Sequence, residues 1–262
     1  MSNEPQVGTP PGVDRHYDTH HDAPHAPHAS CDAAVAAVAA AGGGAVADAP
    51  PSHPLRPARR PGLIYQRDLP GEGLRFTLHT ATVADHLDHL HRWMNDPRVN
   101  AFWEEAGSRD AHRAYLEKVL ADPHMHPLIG AFNGEPFAYF EAYWAKEDRI
   151  GPFADPEDYD RGVHMLVGEA RWRGPQRVAA WLPSLTHYLF EGDARTRSVF
   201  CEPRHDNAKM IGYLQTHGFA FIRHFDFPHK RAALMQARRE TFFSKDRPSW
   251  PHAVETSSGR VA

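Results

Sequence analysis

Apolar and polar residues alternate from Leu74 to His79 (LRFTLH), the two-residue period of a strand with one buried face. Leu87, Leu90, Trp93 and Met94 then recur at three- and four-residue spacing, which predicts a helix stopped by Asp96-Pro97. A second helix is predicted around Ala111–Leu120. Asn133-Gly134 divides the apolar runs Leu128–Phe132 and Pro136–Trp144, a strong hairpin signal. Lys146 to Asp160, broken by Gly151-Pro152 and Asp155-Pro156, reads as loop, and Gly162–Val167 (GVHMLV) as a short buried strand. Gly174-Pro175 opens a helix with Val178, Trp181, Leu182, Leu185 and Leu189 on one face, and Pro183 inside that pattern predicts a kink. Ser198–Cys201 is a strand ended by Glu202-Pro203. Asp206 or Asn207 can cap the next helix, which turns Met210, Ile211 and Leu214 inward and stops at Gly218. Phe219–Phe227 and Arg231–Ala237 complete a hairpin. This order predicts an α/β (α+β) domain whose central strands pair across one crossover helix.

Composition sets the boundaries of that domain. Residues 1–60 carry nine prolines and a single aromatic, Tyr17, of the 28 in the chain, and half of residues 31–50 are Ala. Such a segment cannot bury enough apolar surface to offset its ordering entropy. It is expected to be a disordered tail whose removal leaves melting temperature and turnover nearly unchanged. The domain is then expected over 61–245, with a flexible C-terminal tail over 246–262. Five histidines between His16 and His28 suggest either metal capture or a plain polar tract. No Cys or carboxylate pair sits there at ligand spacing, so no metal is expected.

Net charge is −4, which argues against a nucleic-acid partner. Two cysteines, Cys31 and Cys201, exclude a disulfide scaffold. The Ala/Gly stretch from Ala33 to Ala49 is too weakly hydrophobic to span a bilayer, and no secretory signal is evident. A cytoplasmic enzyme or binding domain, with no membrane partner, is the expectation.

Three groups of residues could carry chemistry. Arg171, Arg173 and Gly174 lie between a strand and a helix, where backbone N–H groups and the helix N-terminus suit a pyrophosphate; a plain turn with solvated arginines is the alternative. His164 interrupts an apolar strand, and Glu202 ends the next one. Parallel neighbours joined by one helix would bring the two to a common cleft, as a base of near-neutral pKa and its orienter; a buried structural His and an exposed carboxylate are the alternatives. The segment His91–Trp103 is both aromatic and polar, so His91, Trp93, Asn95 and Trp103 either line a pocket or belong to the core. No nucleophile elbow, Walker A or dinucleotide fingerprint is present.

The strings HRWMNDPRVNAFW, GVHMLV, RGPQRVAAWLPSLTHYLF and EPRHDNAKMIGYLQTHGF, followed by DFPHKRAAL, occur in order over residues 70–245. Together they resemble the siderophore-biosynthesis branch of the GNAT acyl-CoA acyltransferases, whose members act in aerobactin, alcaligin and mycobactin pathways. The resemblance implies a mixed, mostly antiparallel sheet with a splayed central parallel pair into which acyl-CoA enters. It places the family's strand His on His164 and its acidic partner, an Asp in the mycobactin enzyme, on Glu202. The family's pyrophosphate loop falls on Arg171 and Gly174, with Gln176 departing from the small residue usual there, and Asn207 falls beside the pantetheine arm.

The implied reaction moves an acyl group, acetyl or succinyl, from acyl-CoA to an amine or N-hydroxyamine, giving a siderophore hydroxamate or amide for iron acquisition. A backbone N–H near Met165 or Leu166 would meet the oxyanion, His164 would take the amine proton, and Arg231 would help to hold the acceptor. Partners would be the small amine and other siderophore-pathway enzymes. The alternatives are a GNAT enzyme acting on an unrelated small amine, a non-catalytic acyl-CoA-binding module, and a metal-binding protein using its His-rich tail.

Overall fold

The computed structural model describes His53 and residues 55–244. Eight strands build one sheet: β1 (Leu63–Leu69), β2 (Leu74–Thr80), β3 (Met125–Phe132), β4 (Glu135–Trp144), β5 (Arg161–Val167), β6 (Ser198–Cys201), β7 (Ala220–Asp226) and β8 (Arg231–Arg238). Their order is β1-β2-β3-β4-β5-β6-β8-β7, with every adjacent pair antiparallel except β5 and β6. The turn between β3 and β4 puts Asn133 and Gly134 at φ 50° and 84°, the left-handed pair that a tight hairpin requires.

Among the described residues seven α-helices accompany the sheet: α1 (Val83–Met94), α2 (Pro97–Trp103), α3 (Arg109–Ala121), α4 (Gly151–Ala154), α5 (Pro175–Glu191), α6 (Ala208–Thr216) and α7 (Arg239–Phe242). Successive residues of a strand face opposite sides of its sheet, and β4 shows what covers each side. Tyr139 packs with Leu90, Trp93 and Met94 of α1 and Leu116 of α3. Phe140 packs with Val178, Trp181, Leu182, Leu185 and Leu189 of α5. The α1 and α5 residues among these are the ones that the helical periodicity selected.

The structure adds to the sequence pattern at five points. Pro183 lies within α5, and the helix runs on through it to Glu191. Asp96-Pro97 ends one helix and starts another: the Asp96 carboxylate accepts the Arg98 N–H at 2.9 Å and Pro97 occupies the first turn of α2. Strand β1 and the short helix α4, the latter inside the expected loop, were not predicted. The folded domain also begins before residue 61. Arg56 is buried, donating to the Asp158 carbonyl at 2.8 Å and to Glu147 at 2.6 Å, with its guanidinium 4.7 Å from the Trp144 ring centroid. Composition missed this because one well-placed arginine does not alter a window dominated by Ala and Pro. The remainder of the expected tails lies outside the described residues.

A chain lacking residues 1–60 is therefore expected to melt about 3–6 °C below one lacking only residues 1–52, from the loss of a buried, charge-assisted anchor. Differential scanning fluorimetry of the two truncations checks this; equal melting temperatures would show that Arg56 contributes nothing.

Candidate active site

Strands β5 and β6 pair only at Arg161/Val199 and Gly162/Phe200. Beyond Gly162 the two diverge, and the edge of β5 that faced β6 is left open. The parity of the antiparallel β4/β5 ladder decides which backbone groups line this opening. Ala145 N–H donates to Asp160 and Gly168 N–H to Phe137, so the pairs between them alternate from these fixed ends. Leu166 turns its N–H toward β4, whereas Val163, Met165 and Val167 turn theirs toward the opening. The Val167 carbonyl confirms this direction by accepting Arg173 Nε at 3.1 Å. Of the two oxyanion candidates, Met165 has the suitable direction and Leu166 does not.

His164 and Glu141 are Cα partners in β5 and β4, so their side chains share a face. His164 Nδ1 lies 2.9 Å from Glu141 Oε2, and Nε2 lies 2.9 Å from Glu202 Oε1. The Tyr143 hydroxyl donates to Glu202 Oε2 at 2.9 Å. The Tyr139 hydroxyl donates to Glu141 Oε1 at 2.9 Å, and the Tyr115 hydroxyl donates to the same oxygen. Tyr143 reaches Glu202 because position 162 is glycine: a Cβ there would lie 1.9 Å from Tyr143 Cε2. The His164 side chain is 17% exposed against 4% and 1% for Glu141 and Glu202, so the imidazole is the member of the cluster that an entering molecule meets.

Both ring nitrogens can donate only when the imidazole is charged. Burial pushes the His164 pKa down, but the Glu202 charge and the hydrogen bonds to both carboxylates outweigh it and lift the value to about 9. Burial likewise raises Glu202, and the adjacent imidazolium, Lys230 and Arg149 overcome this and hold its carboxyl well below the usual range. Burial and the neighbouring carboxylates push Tyr115, Tyr139 and Tyr143 well above the ordinary phenol value, so all three remain donors. His164 is thus an imidazolium at neutral pH, not the near-neutral base that its isolated position suggested; two carboxylates hold it where one was expected.

The other candidates divide between this cleft and the framework. Trp103 meets the His164 ring edge-on, with centroids 6.5 Å apart. Trp93 is core: its Nε1 donates to Glu169 at 2.9 Å and its ring covers Gly168. Asn95 spends its amide on the Gly107 backbone and the His91 carbonyl, and His91 pairs with His112 at 2.9 Å. His91 and Asn95 therefore hold the 104–108 loop, and none of these bonds reaches the His164 cluster. Arg231 is exposed and lies 3.9 Å from Asp226, whereas its neighbour Lys230 donates to the Glu202 carbonyl at 3.2 Å and has Nζ 3.8 Å from Glu202 Oε1.

At the head of α5, Gly174 adopts φ 106°, a conformation suited to glycine, and Pro175 follows it. Arg171 pairs with Glu135 at 2.9 Å on the surface. Arg173 braces the loop through Nε to the Val167 carbonyl and Nη2 to the Gly168 carbonyl at 2.8 Å and Asp96 at 3.0 Å, while its buried Nη1 has no hydrogen-bond partner among the described residues. Asn207 caps α6 through its side-chain oxygen, which accepts the Met210 N–H at 3.2 Å. Sequence reading missed Glu141, Tyr115, Tyr139, Tyr143 and Lys230. One signal was available: Glu141 is the single charge in the apolar run FAYFEAYW.

Residues 82–227 match the Acetyltransferase (GNAT) domain. The chain belongs to the GNAT acetyltransferase family. The chain is 48% identical over 182 residues to the putative lysine N-acyltransferase C17G9.06c of Schizosaccharomyces pombe, covering 69% of this chain and 54% of that protein. It is 48% identical over 195 residues to the N(5)-hydroxyornithine:cis-anhydromevalonyl coenzyme A-N(5)-transacylase SIDF of Beauveria bassiana, covering 73% and 43%. With the N(6)-hydroxylysine O-acetyltransferase of Escherichia coli it shares 43% identity over 192 residues, covering 73% and 61%. The chain spans about half the length of the curated relatives it matches.

Solved structures carry the same GNAT fold. A protein of Bacillus halodurans superimposes with TM-score 0.66 at 27% identity, over 70% of this chain and 94% of that one. The aminoglycoside acetyltransferase AAC(6')-Ib in complex with coenzyme A gives TM-score 0.58 at 25% identity, over 64% and 96%. Among the described residues of this GNAT domain, no helix is long and apolar enough to cross a membrane.

Proposed function

We propose that this GNAT domain transfers an acyl group from acyl-CoA to the hydroxylated nitrogen of an N-hydroxyamine, forming a hydroxamate for a siderophore. The observation that carries the reading is the His164–Glu202 pair at the point where β5 leaves β6. An acyl-CoA thioester lying in that opening would set its carbonyl oxygen against the Met165 N–H, with the pyrophosphate toward Gly174 and the head of α5. The acceptor nitrogen attacks the carbonyl carbon, the C–N bond forms, and the C–S bond breaks with its electron pair leaving on sulfur. The proton released by nitrogen passes to Nε2 of His164 in the neutral form of the ring, the imidazolium having first given up a proton to solvent. Trp103 forms the wall beside the imidazole and holds the acceptor against it. Acetyl and succinyl donors both suit this chemistry, and a cytoplasmic location beside an amine-hydroxylating enzyme suits the pathway.

The substrate class rests on relatives named for hydroxyornithine and hydroxylysine. Chemistry favours the same class. A lysine amine, with pKa about 10.4, is almost wholly protonated at pH 7, whereas a hydroxyamine is much less basic and already nucleophilic. N6-hydroxylysine or N5-hydroxyornithine is expected to exceed the parent amino acid by at least about 10²-fold in kcat/KM at pH 7. The test offers each acceptor with acetyl-CoA and succinyl-CoA and follows CoA thiol release beside the iron(III) colour of hydroxamates. Colour with thiol release marks N-acylation, and thiol release without colour marks an O-acyl ester. A preference for the parent amine would overturn the hydroxamate reading. Likeness to AAC(6')-Ib favours a second reading, an unrelated small amine, so an aminoglycoside belongs in the same panel.

A further inference from the structure

We propose that Glu141 is a positioning residue that keeps a hydrogen on Nδ1 of His164 and so makes Nε2 the nitrogen that exchanges protons with the acceptor. The role rests on the acyl-transfer reading above, but its central claim concerns the imidazole alone. Two carboxylates flank one ring at equal distances, 2.9 Å each, so distance does not distinguish them. Their supports do.

Glu141 and His164 sit opposite each other in a ladder that runs without a register shift from Ala138/Val167 to Trp144/Arg161. That contact is built on continuous backbone pairing. Glu202 approaches from β6, which no longer pairs with β5 beyond Gly162, so the Nε2 contact crosses the splay. The Nε2 side is therefore the side that an acceptor entering the splay can reach.

The charges surrounding the ring point the same way. From β4 it faces Glu141, Tyr139 and Tyr143; from the end of β6, Glu202; from α3, Tyr115 behind Glu141. Lys230 in the β7–β8 turn lies beside Glu202, whereas the charge of Arg149, before α4, acts both on Glu202 and on Tyr115 behind Glu141. Among the described residues, no Lys or Arg lies within ion-pair distance of Glu141. When the imidazolium gives up one of its two protons, the other stays beside the carboxylate that has no Lys or Arg in ion-pair contact. That carboxylate is Glu141. Lys230, 3.8 Å from Glu202 Oε1, then serves as the counter-ion of Glu202. In the transfer step the acceptor's proton goes to the bare Nε2 while nitrogen bonds to the acyl carbon and CoA sulfur departs.

The test is long-range proton–nitrogen NMR of the full chain labelled with ¹⁵N-histidine, with His164 assigned by the signal lost in His164→Gln. At pH 7 both nitrogens should carry hydrogen; at pH 10 the neutral ring should be the Nδ1–H tautomer. An Nε2–H tautomer at pH 10 overturns the proposal. Glu141→Gln should mix the tautomers, lower kcat by about 10²-fold, leave KM for acyl-CoA within about twofold, and move the pH break of kcat/KM below that of the wild type. A folded Glu141→Gln with wild-type kcat and pH break would reduce Glu141 to packing and overturn the role. Tyr115→Phe removes a donor but no charge from Glu141, so it should keep the Nδ1–H tautomer; together with the wild-type spectrum it decides the matter should Glu141→Gln fail to fold. An Nδ1–H tautomer in a protein that acylates no hydroxyamine would refute the functional reading and leave the tautomer assignment standing.

Discussion

Replacing His164 by Ala is expected to lower kcat by about 10²–10⁴-fold, the usual reach of acid–base catalysis, while acyl-CoA affinity changes little. The imidazole addresses the acceptor, and the thioester is held by β5 backbone and the head of α5, so chemistry and cofactor binding should separate cleanly. Isothermal titration with CoA beside steady-state kinetics measures both. The same substitution leaves Glu141 and Glu202 facing each other with side chains 4% and 1% exposed. Breaking a buried ion pair in this way costs about 3–5 kcal/mol, so the variant should also melt well below the wild type. Adding Glu202→Gln removes one of the two stranded charges and should recover part of the loss in stability without recovering turnover. Near-normal kcat in a folded His164→Ala protein would remove this residue from the mechanism.

The second large effect is on pH dependence. An imidazole held at about 9 is neutral in only about one molecule in a hundred at pH 7, and a base must be neutral to accept a proton. With a hydroxyamine acceptor, kcat/KM is expected to rise about tenfold per unit from pH 7 to 8 and to level off near 9. Glu202 supplies the largest favourable contribution to that raised value. In Glu202→Gln the break should move down toward the ordinary histidine value, about 6.5, leaving a flat profile between pH 7.5 and 9. The loss caused by Glu202→Gln should therefore be greater at pH 9 than at pH 7. A wild-type rate that falls from pH 7 to 9 would show that the imidazolium acts as an acid, and a break still near 9 in Glu202→Gln would free Glu202 of its assigned effect.

The starting charge of His164 was not legible in the sequence, although its position was. A His between Val163 and Met165 in an apolar strand stands out at once, and Glu202 follows from the rule that strands joined by one helix lie parallel and adjacent. Glu141 is 23 residues from His164 and belongs to a hairpin strand with no sequence link to it. Only the β4/β5 register sets them side by side, and a slip of one residue would point Glu141 at α5 instead. The confusion of Arg231 with Lys230 has the same origin. Both are basic residues of one turn, and the geometry of that turn sends Lys230 to Glu202 and Arg231 to the surface.

The polar residues of His91–Trp103 misled in another way. A hydrogen-bonding side chain near an aromatic cluster suits a pocket or a loop clamp equally well, and composition does not separate the two. Asn95 is a clamp because Gly107, 12 residues away, presents both its N–H and its carbonyl to one amide. Local periodicity, the Asn133-Gly134 turn, the helix stop at Asp96-Pro97 and the cap at Asn207 are short-range matters, fixed by residues within a few positions of one another, and the crossover between β5 and β6 follows from the rule for strands joined by one helix. These the sequence by itself determined, and they suffice for the fold class and for His164 and Glu202. The tertiary structure alone decided where β5 parts from β6, which N–H groups face that opening, and that His164 is charged. The reason is physical: a pKa and a splayed edge depend on groups brought together from β4, β5, β6 and the β7–β8 turn, whose separations along the chain carry no record of their distances in space.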